Sequence, residues 1–164
     1  MKLESLRELF IEELQDLYSA ENMILEALPN MIEEASSPEL KGAFSQHLEQ
    51  TRGQVARLDQ IFDQLDGIDR EDKKCKGMKG IIDDNEDLLD EDAEPEVLDA
   101  GMIAGAQRVE HYEIAGYGTV RTYAKLLGRS DWAQLLQQTL DEEKQTDLKL
   151  NQLAERLNLE AKAA

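Results

Sequence analysis

The sequence predicts an all-α protein: four long helices in a bundle, with a long crossover that carries one extra short helix. Three observations point there. Apolar residues recur every three or four positions over four separate stretches, the spacing of one buried helix face. Charged residues make up 33% of the chain and aromatics 5%, with three prolines, a mix that favours helices over a β-sandwich. Between the second and third periodic stretches, roughly residues 66–94, the pattern gives way to an acidic segment long enough to cross a bundle. A chain of 164 residues is expected to form one domain, residues 1–164, with room for a full core.

The first helix is expected from about Lys2 to Glu34, its apolar stripe being Leu3, Leu6, Phe10, Leu14, Leu17, Ile24, Leu28 and Met31. Between Leu17 and Ile24 the stripe needs a residue at position 21, and Glu21 stands there; Glu13 lies near the stripe as well. Pro29 removes a backbone hydrogen bond, so a bend or an early end is expected near it. Ser37 is suited to cap a second helix and Pro38 to open it. That helix should run to about Leu65, with Leu40, Phe44, Leu48, Thr51, Val55, Leu58, Phe62 and Leu65 inward. His47 and Gln54 lie on or beside this face, Gln50 on its flank, and Glu49 projects away. So short a link makes the first two helices antiparallel.

In the crossover, Gly77 and Gly80 read as breakers, and a short helix is expected from about Lys79 to Asp90. The acids around it lack the central Gly and terminal Glu of a calcium-binding EF-hand loop, so a solvated connection is the better reading. Its length lets the third long helix run parallel to the second. That helix opens at Pro95, ends at Gly128, and carries Met102, Gly105, Val109, Tyr112, Gly116, Val120, Tyr123 and Leu127 along one face. Glu113 falls inside this stripe and Glu110 at its edge. Ser130 should cap a fourth helix from Asp131 to about Leu157, with residues 160–164 frayed. Its stripe of Trp132, Leu136, Thr139, Leu140, Leu150, Ala154 and Leu157 has a central gap that Glu143 fills, with Thr146 and Asp147 one turn on.

Charge narrows the partners. A net charge of −18 argues against nucleic acid or an anionic membrane surface, and an excess of acids serves both cation handling and solubility. The single cysteine, Cys75, cannot form an internal disulfide, which fits a reducing compartment. With no long apolar run and no leader-like N-terminus, the protein is expected to be soluble and cytoplasmic.

The joint observation is that Glu21, Glu113 and Glu143 each replace a hydrophobe at the centre of their helix's stripe, with Glu110 and Asp147 beside them. One such Glu usually reaches solvent or an Arg or Lys. Several converging at mid-height repel one another unless protons or cations intervene, and helix bundles build carboxylate-bridged metal pairs in this way. Lys and Arg sit mostly on the outer faces.

The segments Ala20-Glu21-Asn22, His47-Leu48-Glu49-Gln50-Thr51, Val109-Glu110-His111-Tyr112-Glu113-Ile114-Ala115 and Glu142-Glu143-Lys144-Gln145-Thr146-Asp147 resemble the YciE/YciF-type stress-protein family, within the ferritin-like superfamily. The resemblance runs from about Glu4 to Leu157. It implies a ferritin-like four-helix bundle with a long crossover and an extra short helix, a homodimer, and no defined reaction. Ferritin-like metal sites take one Glu from each of two helices and a Glu-x-x-His pair from each of the other two. Glu21 matches the single Glu of the first helix. A motif based on Glu49 meets Arg52 where His is needed, and Glu143 is followed by Thr146, with Asp147 as the alternative second ligand. Neither His47 nor His111 completes a pair; His111 points off the core, and His47 is equally a ligand or a satisfied core histidine.

The leading expectation is a dinuclear iron or manganese site with Glu21, His47, Glu110, Glu113, Glu143 and Asp147 as metal residues, no organic cofactor, and dioxygen or peroxide as reactant. Tyr112 and Tyr117 are candidates for redox or hydrogen-bonding roles. The alternative is a non-enzymatic structural or interaction dimer, its acids protonated or hydrogen-bonded to Thr51, Gln54, Tyr112 and Thr146. Storage in a closed cage comes third, since nothing in the sequence specifies a shell.

Overall fold

The structure, a computed structural model, describes residues 3–164. They form α1 (Leu6–Glu34), α2 (Pro38–Phe62), α3 (Lys76–Leu89), α4 (Pro95–Leu126) and α5 (Ser130–Ala163), with no strand among the described residues. The expected start at Lys2 lies outside them. Helix α1 begins at Leu6 because Ser5 and Glu8 form a reciprocal cap: the Ser5 hydroxyl accepts from the Glu8 amide at 3.2 Å, and the Glu8 carboxylate accepts from the Glu4 amide at 2.6 Å. Leu3 therefore precedes the helix, exposed, and leaves the predicted stripe. Pro29 does not end α1, which continues to Glu34; the proline is on the exposed side of the helix.

Helix α2 starts as predicted, with Ser37 accepting from Leu40 and Pro38 first. It stops at Phe62, and Leu65 is buried through the turns that follow. Helix α3 starts at Lys76, not Lys79, because the Cys75 sulfur accepts from the Met78 amide. Gly77 and Gly80 thus lie within a helix and break nothing. Gly128 adopts φ +73° after α4, the left-handed turn residue anticipated there. The cap of α5 differs from expectation: Ser130 is its first residue and Arg129 precedes it, pairing with Asp131 at 2.6 Å and lying over the Trp132 ring. The far end continues to Ala163, past the predicted Leu157, with an Arg156–Glu160 pair at 2.7 Å along it.

Hydrogen bonds fix the directions of the helices. Between α2 and α5, Gln46 pairs with Lys149 and Arg57 with Thr139, so one number rises as the other falls. Gln107–Asn151 and Arg121–Gln137 show the same for α4 and α5. Both α2 and α4 are antiparallel to α5 and hence parallel to each other, the result the crossover requires. Leu17 packs on Gly116, while Asp99 accepts from the Ser36 and Ser37 amides beyond the other end of α1, which makes α1 antiparallel to α4. The ring order is α1–α2–α5–α4, with α3 on the outside against α1 and α4.

The apolar core divides into two ends. One gathers Phe10, Leu14, Leu58, Ile61, Trp132 and Leu136; the other gathers Ile24, Leu28, Phe44, Met102, Ile103 and Leu150. A buried polar layer lies between them along the helices: Glu21, His47, Thr51, Gln54, Glu110, Glu113 and Glu143. No helix of the described residues is long and apolar enough to cross a membrane.

Candidate metal centre

Each helix of the ring delivers its part of this layer from mid-length, where the apolar stripe is interrupted. Glu21 comes from α1, His47, Thr51 and Gln54 from α2, Glu110 and Glu113 from α4, and Glu143 from α5. All are buried, Glu21, Glu113 and Glu143 completely. One donor atom from each of His47, Glu110, Glu113 and Glu143 falls within 4.8 Å of the others. Metal–oxygen and metal–nitrogen bonds of ~2 Å put opposed ligands ~4 Å apart, so this cluster is within a small contraction of one coordination shell.

The neighbours of these groups do not satisfy them. Tyr117 donates its hydroxyl to Glu21 Oε1, and Gln54 donates its amide to Glu143 Oε1. Left without a hydrogen-bond partner are Oε2 of Glu21, Glu110 and Glu143, both oxygens of Glu113 and both ring nitrogens of His47. His47 Nδ1 stands 3.5 Å from Glu110 Oε1, too far for a sound hydrogen bond. The cation that approaches the layer, Arg57, is engaged by Glu142 at 2.5 Å and by Thr139 at 3.0 Å.

Burial therefore governs the protonation states. It pushes Glu21 well above the ordinary carboxylate range, with the charge of Glu143 adding to it and the Tyr117 hydroxyl opposing. Glu110 and Glu113 are raised in the same way, by burial and then by the neighbouring carboxylates. Glu143 is raised by burial to about 7, with its neighbour Glu110 and the amide of Gln54 opposing the rise. His47 is lowered by burial to about 4, so it is neutral at physiological pH and free to offer a ring nitrogen to a metal. Without a metal, this core must hold protons on several carboxylates.

The six residues singled out in the sequence fall into three groups. His47, Glu110, Glu113 and Glu143 form the cluster, and Glu21 lies against it, interacting with Glu113 and Glu143. Asp147 sits at the rim, partly exposed, with Oδ1 3.3 Å from His111 Nε2. His111 is exposed, as expected from its position off the stripe. Glu110, expected at a stripe edge, is buried inside the ring, its carboxylate grouped with His47, Glu113 and Glu143. Tyr112 leaves the central core for the side of α4 that α3 covers, its ring over Gly77. Its hydroxyl donates to Asp16 at 2.5 Å and contacts the Cys75 sulfur at 3.0 Å.

On the second helix Glu49 is exposed and paired with Arg52, in line with its expected outward position, so no Glu-x-x-His pair starts there. The inward pair three apart is Thr51-x-x-Gln54, both completely buried, with Gln54 reaching Glu143. The sequence contains that signal, since Thr51 and Gln54 share the face of Leu58. The hydrogen-bond chain from Glu143 through Gln54 to Glu142 and Arg57 has no sequence signature and emerges only in three dimensions.

Four pairwise antiparallel helices, a crossover that makes the middle two parallel, and a mid-height acid layer define a ferritin-like bundle. The chain belongs to the family described as "Domain of unknown function (DUF892)", which matches residues 5–163. It is 45% identical over 119 residues to Protein YciF of Escherichia coli strain K12, covering 73% of this chain and 72% of that protein. The crystal structure of the E. coli stress protein YciF matches with a TM-score of 0.90 at 41% identity, covering 94% of this chain and 98% of that one. YcfI from Rhodopseudomonas palustris matches with a TM-score of 0.87 at 41% identity, over 92% and 95% of the two chains. The YciF-type resemblance drawn from the sequence is thereby shown.

Proposed function

We propose that the acid layer is a dinuclear iron or manganese centre held by Glu21, His47, Glu110, Glu113 and Glu143, with Asp147 at its rim. The observation that carries this reading is the set of buried carboxylate oxygens and imidazole nitrogens with no partner. Leaving such groups unpaired costs ~1–3 kcal/mol each, more where charge is involved, and metal bonds would remove that cost. Four buried carboxylates carry the charge that two divalent ions neutralise, which favours two ions over one. Oxygen-rich donors with one imidazole suit iron or manganese. The bound pair would supply reaction with dioxygen or peroxide. In that centre Tyr117 orients Glu21 and Gln54 orients Glu143, while the flanking apolar ends exclude bulk water.

The metal-free alternative has the acids protonated or hydrogen-bonded to four donors, and three of those donors turn elsewhere. Thr51 donates to the His47 carbonyl, Tyr112 to Asp16, and Thr146 to Gln50 and the Glu142 carbonyl. Only Gln54 reaches an acid of the layer. The homodimer is carried over from the family resemblance, the role in stress from that resemblance and the description of YciF as a stress protein, and the cytoplasmic location from the sequence.

The test is metal stoichiometry after anaerobic Fe(II) or Mn(II) loading and desalting, for wild type and Glu143→Ala. Near two equivalents in wild type, lost in the variant, is the expected outcome. Background metal in both overturns the proposal.

A further inference from the structure

A cavity of about 80 Å³ adjoins the acid layer, and all five helices line it. Ile24 and Leu28 of α1, Phe44 of α2, Ile82 of α3, Val109 of α4 and Leu150 of α5 make its walls apolar. His47 and Glu110 form its polar end, and exposed Glu26, Asn30 and Glu86 stand at its mouth. The gap is built into the packing and is not slack. Helix α3 is held against α4 by close approaches at glycine: Leu88 over Gly101, Asn85 over Gly105, and the Tyr112 ring over Gly77, where a Cβ would meet it at 2.6 Å. These contacts set the distance of the α3 wall. His47, buried and with both ring nitrogens unpartnered, points to a ligand group at the polar end.

Size and charge define what fits. A dry apolar cavity of ~150 Å³ takes benzene, so about half that volume takes three or four carbons, with any longer tail leaving through the mouth. No Lys or Arg among the described residues lines the cavity, and the exposed carboxylates of Glu26 and Glu86 at the mouth repel an anion. An ammonium group would lose its hydration against apolar walls. A hydroxyl both donates and accepts, so it suits either nitrogen of His47.

We propose that this cavity binds an uncharged, hydroxyl-bearing apolar molecule, its alkyl part against Ile24, Phe44, Ile82 and Leu150 and its hydroxyl on His47. A role for that molecule as substrate rests on the metal reading above; its binding does not. The experiment is therefore done on metal-free protein, following the Ile24, Met31 and Ile82 methyl signals by NMR during titration with 1-butanol, butyrate and butylammonium. Saturable shifts with 1-butanol, at least tenfold weaker with both charged analogues, are expected. The shifts should disappear in Ala43→Leu and Ala106→Leu, which fill the cavity from two different helices, so either variant that keeps a wild-type melting transition suffices. Non-saturable shifts in wild type, equal binding of a charged analogue, or unchanged shifts in a folded filled variant would overturn the proposal. If butanol fails while two metal equivalents bind, only the cavity assignment falls. If butanol binds and metal does not, only the metal centre falls.

Discussion

The hydroxyl of Tyr117 on α4 donates to the carboxylate of Glu21 on α1, and both side chains are fully buried. This bond ties two antiparallel helices together at the acid layer, while the second oxygen of Glu21 has no hydrogen-bond partner among the described residues. Tyr117→Phe keeps the ring and removes that donor. The metal-free protein should lose ~1–3 kcal/mol. At ~2–4 °C per kcal/mol for a chain of this size, melting should fall by several degrees. An unchanged melting temperature would show that Glu21 finds another donor.

Gln54 plays the corresponding part for Glu143, donating to it and, at 3.1 Å, to Glu142. Gln54→Glu would turn this donor into a further acid facing two carboxylates. The metal-free variant should melt several degrees below wild type through like-charge repulsion in a buried site. Loading with Fe(II) or Mn(II) should then raise its melting temperature by more than it raises that of wild type, because a new ligand replaces the repulsion. Equal rises in the two proteins would count against a metal at this position.

The acid layer also dictates a pH dependence. Glu21, Glu110, Glu113 and Glu143 bind protons more tightly folded than unfolded. Their contribution is complete below the ordinary value of 4.5 and is lost as pH rises through the folded value, about 7 for Glu143. His47 works in the opposite sense: lowered from 6.5 to about 4, it contributes fully above pH 6.5 and loses that contribution as pH falls toward 4. The two effects oppose each other between 4.5 and 6.5, and only the carboxylates act above that. Metal-free protein should therefore melt progressively lower as pH rises above about 6.5, through about 7 for Glu143 and beyond it for the acids raised further. Metal-loaded protein should resist this fall, because ligation favours deprotonated carboxylates. A flat metal-free profile above pH 6.5 would contradict the buried-acid picture.

The same residues show what the sequence reveals of this protein. Glu21, Glu113 and Glu143 are legible because each interrupts an otherwise continuous 3.6-residue stripe, and periodicity is a property of one helix at a time. Glu110 is harder to place, because it sits at the margin of the stripe and is buried only by its neighbours from α2 and α5 in the cluster. Tyr112 is misplaced because the α3 side of α4 lies outside the ring, where it meets Cys75 and Asp16. The inward face of α2 is legible from its stripe, with Thr51 inside and Glu49 outside, but its contribution to the site is not, because Thr51 and Gln54 announce no chemistry of their own. Helix ends follow local hydrogen bonds that periodicity does not encode, as the sulfur cap at Cys75 shows.

Two glycines of α4 separate packing from backbone preference. A Cβ on Gly105 would run into the side-chain amide of Asn85, whereas a Cβ on Gly118 meets nothing within 4 Å. Both lie inside a helix at ordinary backbone angles, where Ala is preferred to Gly by ~0.5–1 kcal/mol. Gly118→Ala should thus raise the melting temperature by a few degrees. Gly105→Ala gains the same preference but must displace Asn85, one of the contacts that hold α3 on the bundle, and overpacking of this kind costs ~1–3 kcal/mol. Its melting temperature should fall, and amides of α3 should exchange with solvent faster than those of α5. If both variants were stabilised alike, α3 would be yielding at Gly105, and the cavity wall it forms would be movable.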